Sequence, residues 1–332
     1  GADPSFSIGG ELTESGTNAH HGSGDVFVLE ADESDGTFVV YRPDVAVVTN
    51  VQADHLDHYG DLAGVEAGFL AFAASIRPGG VLVACADDPG SARLALAAAR
   101  PGLRVVTYGE SPAADVRMVD VRPSTVGSDF DVVDRGRRVG SVALRVPGRH
   151  NALNALAAVA AAVALGLPVA TALEGVAAFG GTRRRFEARG EAGGVRVFDD
   201  YAHNPGKVAA AISTGRQVAG SGRVVAVFQP HLFSRTRDFA EQFGQALGGA
   251  DEVVVMDVYG AREDPLPGVS GALVADAVPL PPERVRFVRS WSAVADVVRE
   301  RLRPGDVLLT IGAGDVTLLA DEVLARLEGH PS

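Results

Sequence analysis

Short runs of apolar, β-branched residues alternate with longer amphipathic or alanine-rich stretches along the first part of the chain. Polar residues, Gly or Pro bound each run, and this pattern predicts buried strands. Because strands that alternate with helices form parallel sheets, we predict a parallel α/β sheet here. The predicted strands are Val26–Glu30, Val45–Thr49, Val81–Cys85 and Val105–Tyr108, and the predicted helices are Leu62–Ile76 and Ser91–Ala99.

Residues 116–146 follow a different pattern, with three apolar runs close together. Turn signals at Gly127-Ser128 and Gly136 separate these runs, so we predict an antiparallel patch at the edge of the sheet. Its predicted strands are Val116–Val121, Phe130–Val133 and Val139–Val146, followed by helices over residues 150–165 and 168–178. The first 25 residues are polar and rich in Gly and Ser, and they do not have the pattern that opens a domain.

A second α/β rhythm begins after Gly180-Gly181, which is a plausible hinge. Its five β–α units predict a doubly wound, Rossmann-like sheet. We place the boundary near residue 182, which gives domains 1–182 and 183–332. The predicted strands are Val195–Phe198, Val224–Phe228, Glu252–Met256, Val285–Val288 and Val307–Ile311, with helices beginning near Pro205, Arg235, Ser270, Ser292 and Asp315.

Composition narrows the class of protein. A chain of 332 residues with 46% hydrophobic residues can bury the cores of two domains. The net charge of −12 argues against a broad nucleic-acid surface, because such surfaces are basic. Cys85 is the only cysteine, so an intrachain disulfide is impossible. The longest apolar run, 155–170, is interrupted by Gly and Pro, and residues 1–25 lack a signal-peptide pattern. We expect a cytoplasmic protein that binds neither nucleic acid nor membrane.

Two polar clusters directly follow predicted strands. EADESD covers residues 30–35, and TNVQADHLDHYGD covers residues 49–61. Ligands bind at the carboxyl ends of strands in open α/β sheets, and carboxylates, water and phosphate oxygens suit Mg²⁺. We therefore favour a metal site formed by both clusters. The alternative is that the acids only cap the next helix. A zinc site at His55 and His58 is less favoured, because no cysteine or third histidine lies nearby in the sequence.

Amide side chains stand out at the start of a predicted alanine-rich helix. Asn151 and Asn154, in PGRHNALNA, are three residues apart and share one helix face. Amides can contact an adenine edge. The alternative is that Asn151 is an N-cap and Asn154 a surface residue.

Arginines and histidines cluster after the proposed boundary, in TRRRFE (182–187), DDYAHNP (199–205) and QPHLFSRTRDF (229–239). Guanidinium groups suit phosphate and carboxylate oxygens. Arginine in a first helical turn opposes the helix dipole, so an anionic ligand explains it better than stability does. The alternative is a solvated run of charges. IGAGDVT (311–317) is interpreted as a tight structural turn. Lys207 is the only lysine, and no phosphate-binding G-x-x-x-x-G-K-[ST] loop is present.

Seven motifs in this order resemble the Mur ligases, and most closely the branch that adds L-alanine. They are EADESD, TNVQADHLDHY, PGRHNALNA, RRFE, DDYAHNP, QPHLFSRTRDF and GAGDVT. The resemblance implies an α/β chain with a truncated central ATP-binding domain, whose mainly parallel sheet carries an antiparallel patch. A Rossmann-like, doubly wound C-terminal domain follows. The family's N-terminal domain and GKT loop are missing from this sequence, so we expect the chain alone to lack ligase activity.

The resemblance also implies a reaction and a set of roles. ATP would phosphorylate the lactyl carboxylate of UDP-N-acetylmuramate, and the amine of L-alanine would displace the phosphate. The protein would be a monomer or weak homodimer. By motif match, Glu30 and His55 would bind Mg²⁺, Asn151 and Asn154 adenine, Asp200 the ribose, Arg185 the γ-phosphate, and His203, His231 and Arg235 the alanine, with Arg185 and His203 as catalytic residues.

Three departures from the family pattern qualify these roles. Residues 61–78 contain no lysine, so the carbamylated lysine of some relatives has no counterpart here. Asn204 replaces a second histidine, and Leu232 replaces a basic residue, beside the expected alanine pocket. Two alternatives remain open at this point: a peptide-adding Mur ligase, and a noncatalytic nucleotide-binding module.

Overall fold

The computed structural model describes residues 3–329, apart from the side chain of Asp57, and divides the chain into two units. The first unit contains residues 3–9 and 16–180, and the second contains residues 10–15 and 181–329. The chain passes between the units after Gly9, after Ser15 and, finally, after Gly180. The outermost residues of the two expected domains, 1–2 and 330–332, lie outside the described residues.

A small three-stranded sheet opens the first unit. Its strands are β1 (Ser5–Ser7), β2 (Ala19–His20) and β3 (Phe27–Leu29). The central strand β1 pairs antiparallel with β2 and parallel with β3. One expectation was therefore wrong: the strand predicted at Val26–Glu30 pairs with β1 instead of joining the main parallel sheet. Residues 1–25, where no strand was predicted, also contain β1 and β2. Strands of two or three residues are too short to show a hydrophobic period.

The main sheet of the first unit has six strands in sequential order, β4 to β9. The three pairs from β4 to β7 are parallel and the two pairs from β7 to β9 are antiparallel, so both parts of the prediction are confirmed. The strands are β4 (Val45–Val48), β5 (Val81–Cys85), β6 (Arg104–Gly109), β7 (Val116–Pro123), β8 (Ser128–Asp134) and β9 (Arg137–Leu144). The helices are α1 (Leu56–Tyr59), α2 (Leu62–Ser75), α3 (Pro89–Ala97), α4 (Arg149–Ala164) and α5 (Val169–Ala178).

Apolar cores cover both faces of this sheet. On one face, α4 and α5 pack over a core that includes Phe130 and Leu156. On the other, α2 and α3 pack over a core that includes Phe72 and Leu82. Burial on both faces explains why β5 is continuously apolar.

The second unit has a six-stranded sheet in the order β10-β11-β15-β12-β13-β14. All pairs are parallel except β10–β11. The strands are β10 (Glu187–Ala192), β11 (Val195–Asp200), β12 (Val224–Phe228), β13 (Glu252–Met256), β14 (Val285–Val288) and β15 (Val307–Ile311). The helices are α6 (Pro205–Ala219), α7 (Phe233–Leu247), α8 (Ala272–Asp276), α9 (Trp291–Arg301) and α10 (Thr317–Leu327).

This sheet is doubly wound, as predicted. Phe228 and Phe243 belong to the core on one face, and Leu308 and Leu319 to the core on the other. The sequence analysis missed β10, because EARGEA carries no apolar run. Among residues 3–329, no helix is both long and apolar enough to cross a bilayer.

Candidate functional site

Three neighbouring strands of the second unit end at one edge and bring distant motifs together. Strand β15 lies between β11 and β12, and the three strands run parallel. Past the strand ends, the N–H of Gly312 donates to the carbonyl of Asp200 at 3.0 Å. The N–H of Gln229 donates to the carbonyl of Ile311, also at 3.0 Å. DDYAHNP, QPHLFSRTRDF and GAGDVT therefore meet at the carboxyl edge, where α/β sheets bind ligands.

The three consecutive arginines of TRRRFE have different surroundings. Arg183 is exposed and forms an ion pair with Glu11 at 2.8 Å. Arg184 pairs at 3.2 Å with Asp199, whose side chain is fully buried. It also donates to the carbonyls of Gly312 and Gly314, at 2.8 and 3.2 Å. Arg184 is therefore structural, because it joins the motif to the glycine turn after β15.

Arg185 has no such fixed partner. Its guanidinium carbon lies 5.7 Å from the centre of the Tyr201 ring. Within residues 3–329, this exposed guanidinium makes no hydrogen bond and no ion pair. All of its donors are available to an anionic ligand.

Asp200 holds the backbone that carries these arginines. Its two carboxylate oxygens accept the N–H groups of Phe186 and Ala202, at 2.9 and 2.8 Å. Burial raises the pKa of this carboxyl group to about 6, although the two hydrogen bonds act in the opposite direction. The sequence analysis expected Asp200 to contact a ribose. The structure gives it backbone partners instead, and the ribose contact stays a prediction.

The three residues expected to bind alanine lie together. The rings of His203 and His231 are 6.4 Å apart. A guanidinium nitrogen of Arg235 donates to the carbonyl of His203 at 3.5 Å. The Nδ1 atom of His203 lies 3.0 Å from the carbonyl of Tyr201, and it must carry the proton because a carbonyl only accepts.

The surroundings of His231 favour its neutral form. Burial lowers the pKa of this imidazole, as does the nearby charge of Arg235 and, more weakly, that of Arg262. Glu263 opposes this effect. A neutral imidazole beside a cationic guanidinium offers a lone pair and a positive charge to the same small ligand. An amino acid, which carries an amine and a carboxylate, is a ligand of that kind.

The start of helix α7 places Arg235 in the first turn. Leu232 precedes the helix at φ 69° and gives it no side-chain cap. Glu263, on the loop after β13, takes that role: it accepts from the N–H and the hydroxyl of Ser234, at 2.9 and 2.5 Å. The sequence analysis missed Glu263, which lies 29 residues away in the chain. Asn204 is the N-cap of α6 and accepts from the N–H of Lys207 at 2.8 Å.

A glycine turn closes this edge of the sheet. A Cβ atom on Gly314 would lie 2.4 Å from the Oε1 of Gln229, so a larger residue would have to displace this side chain. The same Gln229 oxygen accepts the N–H of Val316 at 3.1 Å. This geometry agrees with the interpretation of IGAGDVT as a tight structural turn.

The two expected metal ligands of the first unit, Glu30 and His55, contact other groups of the protein. The Oε2 atom of Glu30 accepts the N–H of Gly9 at 2.7 Å. The Nε2 atom of His55 lies 3.6 Å from Glu33 and 4.0 Å from Asp54. Glu33, which the sequence analysis did not single out, is therefore the carboxylate beside His55. Over residues 3–329, no group of three or more His, Cys, Asp or Glu side chains is arranged to hold a metal ion.

This donor set still fits Mg²⁺ better than zinc. Mg²⁺ takes one or two protein carboxylates, and water and phosphate oxygens complete its shell. Glu30 is exposed and Glu33 is half-buried. His55 is the N-cap of α1. Its backbone lies in the left-handed region, at φ 52°, and this strained conformation sets the direction in which the Cβ atom leaves the chain. A structural zinc site would need four protein ligands.

The two asparagines lie at the start of α4. Gly148 is the N-cap of this helix, so the alternative that Asn151 caps it was wrong. The amide nitrogen of Asn151 donates to the carbonyl of Pro147 at 2.7 Å, which leaves its oxygen able to accept. Asn154 is exposed, and its position one turn later puts it on the same face. This face can present amide groups to a base edge.

Family models match both units. The Mur ligase middle domain matches residues 11–162. The glutamate ligase domain of the Mur ligases matches residues 184–314.

Several known proteins are similar to this chain over nearly its whole length. A UDP-N-acetylmuramate–L-alanine ligase from Saccharopolyspora erythraea is 56% identical over 328 residues, which cover 98% of this chain and 67% of the relative. The crystal structure of a UDP-N-acetylmuramate–alanine ligase from Thermotoga maritima is 28% identical, with a TM-score of 0.80, over 99% of this chain and 70% of that one. A Thermotoga maritima MurF ligase in complex with ADP shares the fold at 20% identity and a TM-score of 0.73, over 99% of this chain and 74% of that one.

Proposed function

Because this chain belongs to the Mur ligase family, we propose that it catalyses the ATP-dependent joining of L-alanine to UDP-N-acetylmuramate. The reaction belongs to peptidoglycan synthesis. One observation supports the amino-acid assignment most strongly: Arg235 lies against the His203 carbonyl, and His203 and His231 lie 6.4 Å apart. These groups match the carboxylate and the amine of a small amino acid.

The proposed reaction has two steps. The γ-phosphoryl group of ATP is transferred to the lactyl carboxylate, which gives an acyl phosphate and ADP. The amine of L-alanine then attacks the acyl carbon, the C–O bond to phosphate breaks, and an amide and inorganic phosphate form. An ammonium nitrogen has no lone pair, so the amino group of L-alanine must give up a proton before it attacks the acyl carbon. The neutral imidazole of His231 can accept that proton.

Phosphoryl transfer to a carboxylate brings like charges together, so cations must offset the repulsion. We assign the γ-phosphate to Arg185, whose guanidinium makes no hydrogen bond within the described part of the chain. Glu30 and His55, with Glu33 beside His55, would hold Mg²⁺. When bound, this ion supplies Lewis-acid stabilisation of the transferred group.

The nucleotide's adenine is assigned to Asn151 and Asn154, which share one face of α4. Their amides can both donate and accept, as the adenine edge requires. We keep Asp200 as the candidate that contacts the ribose. Each of its carboxylate oxygens accepts one backbone N–H and has a further lone pair that could accept a ribose hydroxyl. Its better supported role is to hold Phe186 and therefore the segment that carries Arg185.

A chimera tests this proposal in an enzyme context. The chain would replace the matched 328-residue region of the Saccharopolyspora erythraea relative. We expect phosphate release that requires ATP, UDP-N-acetylmuramate and L-alanine together, and that stops when any one is omitted. A folded chimera that accepts a peptide in place of L-alanine would favour a peptide-adding ligase instead. A folded chimera that binds ATP without any turnover would favour a noncatalytic nucleotide-binding role.

A further inference from the structure

We propose that Tyr259 is a positioning residue that holds the imidazole of His231 in the orientation in which it meets L-alanine. Tyr259 lies on the loop after β13, and neither its motif nor its place in the chain suggested a role. The proposal rests on the proposed function only for the identity of the ligand. The contact between the two residues is a property of the chain itself.

The two residues touch through both side chain and backbone. Their rings are stacked, with centres 5.8 Å apart and planes inclined by 17°. The N–H of Tyr259 donates to the carbonyl of Pro230 at 2.8 Å. The N–H of Leu232 donates to the carbonyl of Tyr259 at 3.0 Å. The backbone on either side of His231 is therefore fastened to the residue whose ring supports the imidazole.

Stacking matters here because the hydrogen bond that usually orients a functional histidine is missing from the described residues. A functional histidine is normally oriented by a hydrogen bond from its second ring nitrogen to a carbonyl or carboxylate. The Nδ1 atom of His231 is buried and has no hydrogen-bond partner among residues 3–329. His203 differs, because its Nδ1 is fixed by the Tyr201 carbonyl. Ring stacking is thus the contact left to set the orientation of His231.

Tyr259 is itself confined by the glycine turn. A Cβ atom on Gly314 would lie 2.7 Å from the Cγ of Tyr259, so the ring packs directly against this backbone. Tyr259 also borders a cavity of about 260 Å³, which Trp291 and Asp315 help to line. If the aromatic ring were removed, His231 would gain room to turn toward this space.

The charges around His231 stay in place when Tyr259 changes. Arg235 follows on α7, Arg262 and Glu263 belong to the loop after β13, and His203 lies across the cluster. A change in the titration of His231 on altering Tyr259 would therefore report exposure and orientation, not a lost charge.

The phenol hydroxyl plays no part in the stack, which supplies a matched pair of variants. Tyr259→Phe keeps the ring and Tyr259→Leu removes it. We would record imidazole NMR titrations of this chain, with His231→Gln to assign the His231 signals. We expect Tyr259→Phe to match the wild type. In Tyr259→Leu, the pKa of His231 should rise toward that of free histidine as the ring becomes exposed to water.

The same variants in the chimera connect the contact with alanine. Loss of an aromatic pair should raise the KM for L-alanine roughly 2- to 12-fold in Tyr259→Leu, with the KM for ATP and the Tyr259→Phe enzyme unchanged. Unchanged His231 signals in a folded Tyr259→Leu protein would overturn the proposal. If that variant fails to fold, absence of magnetisation transfer between the His231 and Tyr259 rings in the wild type would overturn it. A shifted His231 titration in a chimera that ignores L-alanine would refute the proposed function and leave the positioning role intact.

Discussion

The buried carboxylate of Asp200 accepts the backbone N–H of Phe186 at 2.9 Å, across the junction between the TRRRFE segment and the end of β11. Phe186 is buried, has φ 49°, and stacks on Phe198 with ring centres 4.7 Å apart. A non-glycine residue in this left-handed region needs surroundings that compensate for its backbone strain. Asp200 supplies part of that compensation, so the position of Arg185 depends on a buried carboxylate.

This buried acid predicts a pH dependence of stability. Burial raises the pKa of Asp200 from its ordinary 3.8 to about 6 in the folded chain. The folded state therefore binds this proton more tightly than the unfolded state. The stabilisation is complete below about pH 4 and is lost as pH rises through about 6, a total of about 3 kcal/mol. Urea unfolding of the wild type and Asp200→Asn should give free energies whose difference changes across this window. If the unfolding free energies of the two proteins changed in parallel with pH, the prediction would be wrong.

The second prediction separates the three arginines. In the chimera, Arg185→Ala should lower kcat by about 10²- to 10³-fold, the usual cost of losing one preorganised donor, with little change in ATP affinity. Arg183→Ala is the matched control, because its exposed ion pair with Glu11 is worth at most about 1 kcal/mol. A kcat within about threefold of wild type for Arg185→Ala would make that residue part of a solvated linker.

The third prediction concerns the carboxylate of alanine. Arg235→Ala should raise the KM for L-alanine roughly 10- to 150-fold, because a charge-assisted hydrogen bond contributes about 1.5–3 kcal/mol. The KM for ATP should stay near that of the wild type. Arg237→Ala is the control, since Arg237 is exposed and pairs with its neighbour Asp238 at 2.7 Å. An equal rise in both KM values would assign Arg235 to the nucleotide or to the structure.

The fourth prediction concerns the metal. Glu30→Ala and His55→Ala should each raise the Mg²⁺ concentration needed for half-maximal activity and lower the maximal rate more than 10-fold, since a Lewis-acid metal contributes several kcal/mol. Added Mg²⁺ should restore the rate only in part. Glu66→Ala is a suitable control, because Glu66 forms an exposed ion pair with Arg93. Wild-type kinetics in both site variants would leave Glu30 and His55 with structural roles only.

The strands that could be predicted from the sequence are the buried ones. Strands β12, β13 and β15 are buried on both faces, so their continuous apolar runs predicted them to the residue. Edge strand β10 and the short strands β1 and β2 carry no such signal. Their pairing is decided by contacts with residues far away in the chain, which a local pattern does not contain.

For the candidate site as well, some residues could be predicted from local sequence and others could not. Motifs after two predicted strands suggested His203, His231 and Arg235, and the structure brings these three together. Arg185 was predicted at the hinge between the domains. The supporting residues Tyr259, Glu263 and Glu33 were missed, because each acts across a turn or strand that the sequence does not relate to its target. Chemistry-bearing residue types can be predicted from motifs, whereas the residues that hold them are visible only in three dimensions.

The most direct test of the account follows the oxygen atoms through the proposed reaction. UDP-N-acetylmuramate labelled with heavy oxygen in its lactyl carboxylate would be incubated with the chimera, ATP–Mg²⁺ and L-alanine, and the products analysed by mass spectrometry. We predict one labelled oxygen in each inorganic phosphate released, and a nucleotide product heavier by one alanine residue. Unlabelled phosphate, or ATP hydrolysis without an alanine adduct, would contradict the claim that this chain forms an acyl phosphate and joins it to L-alanine.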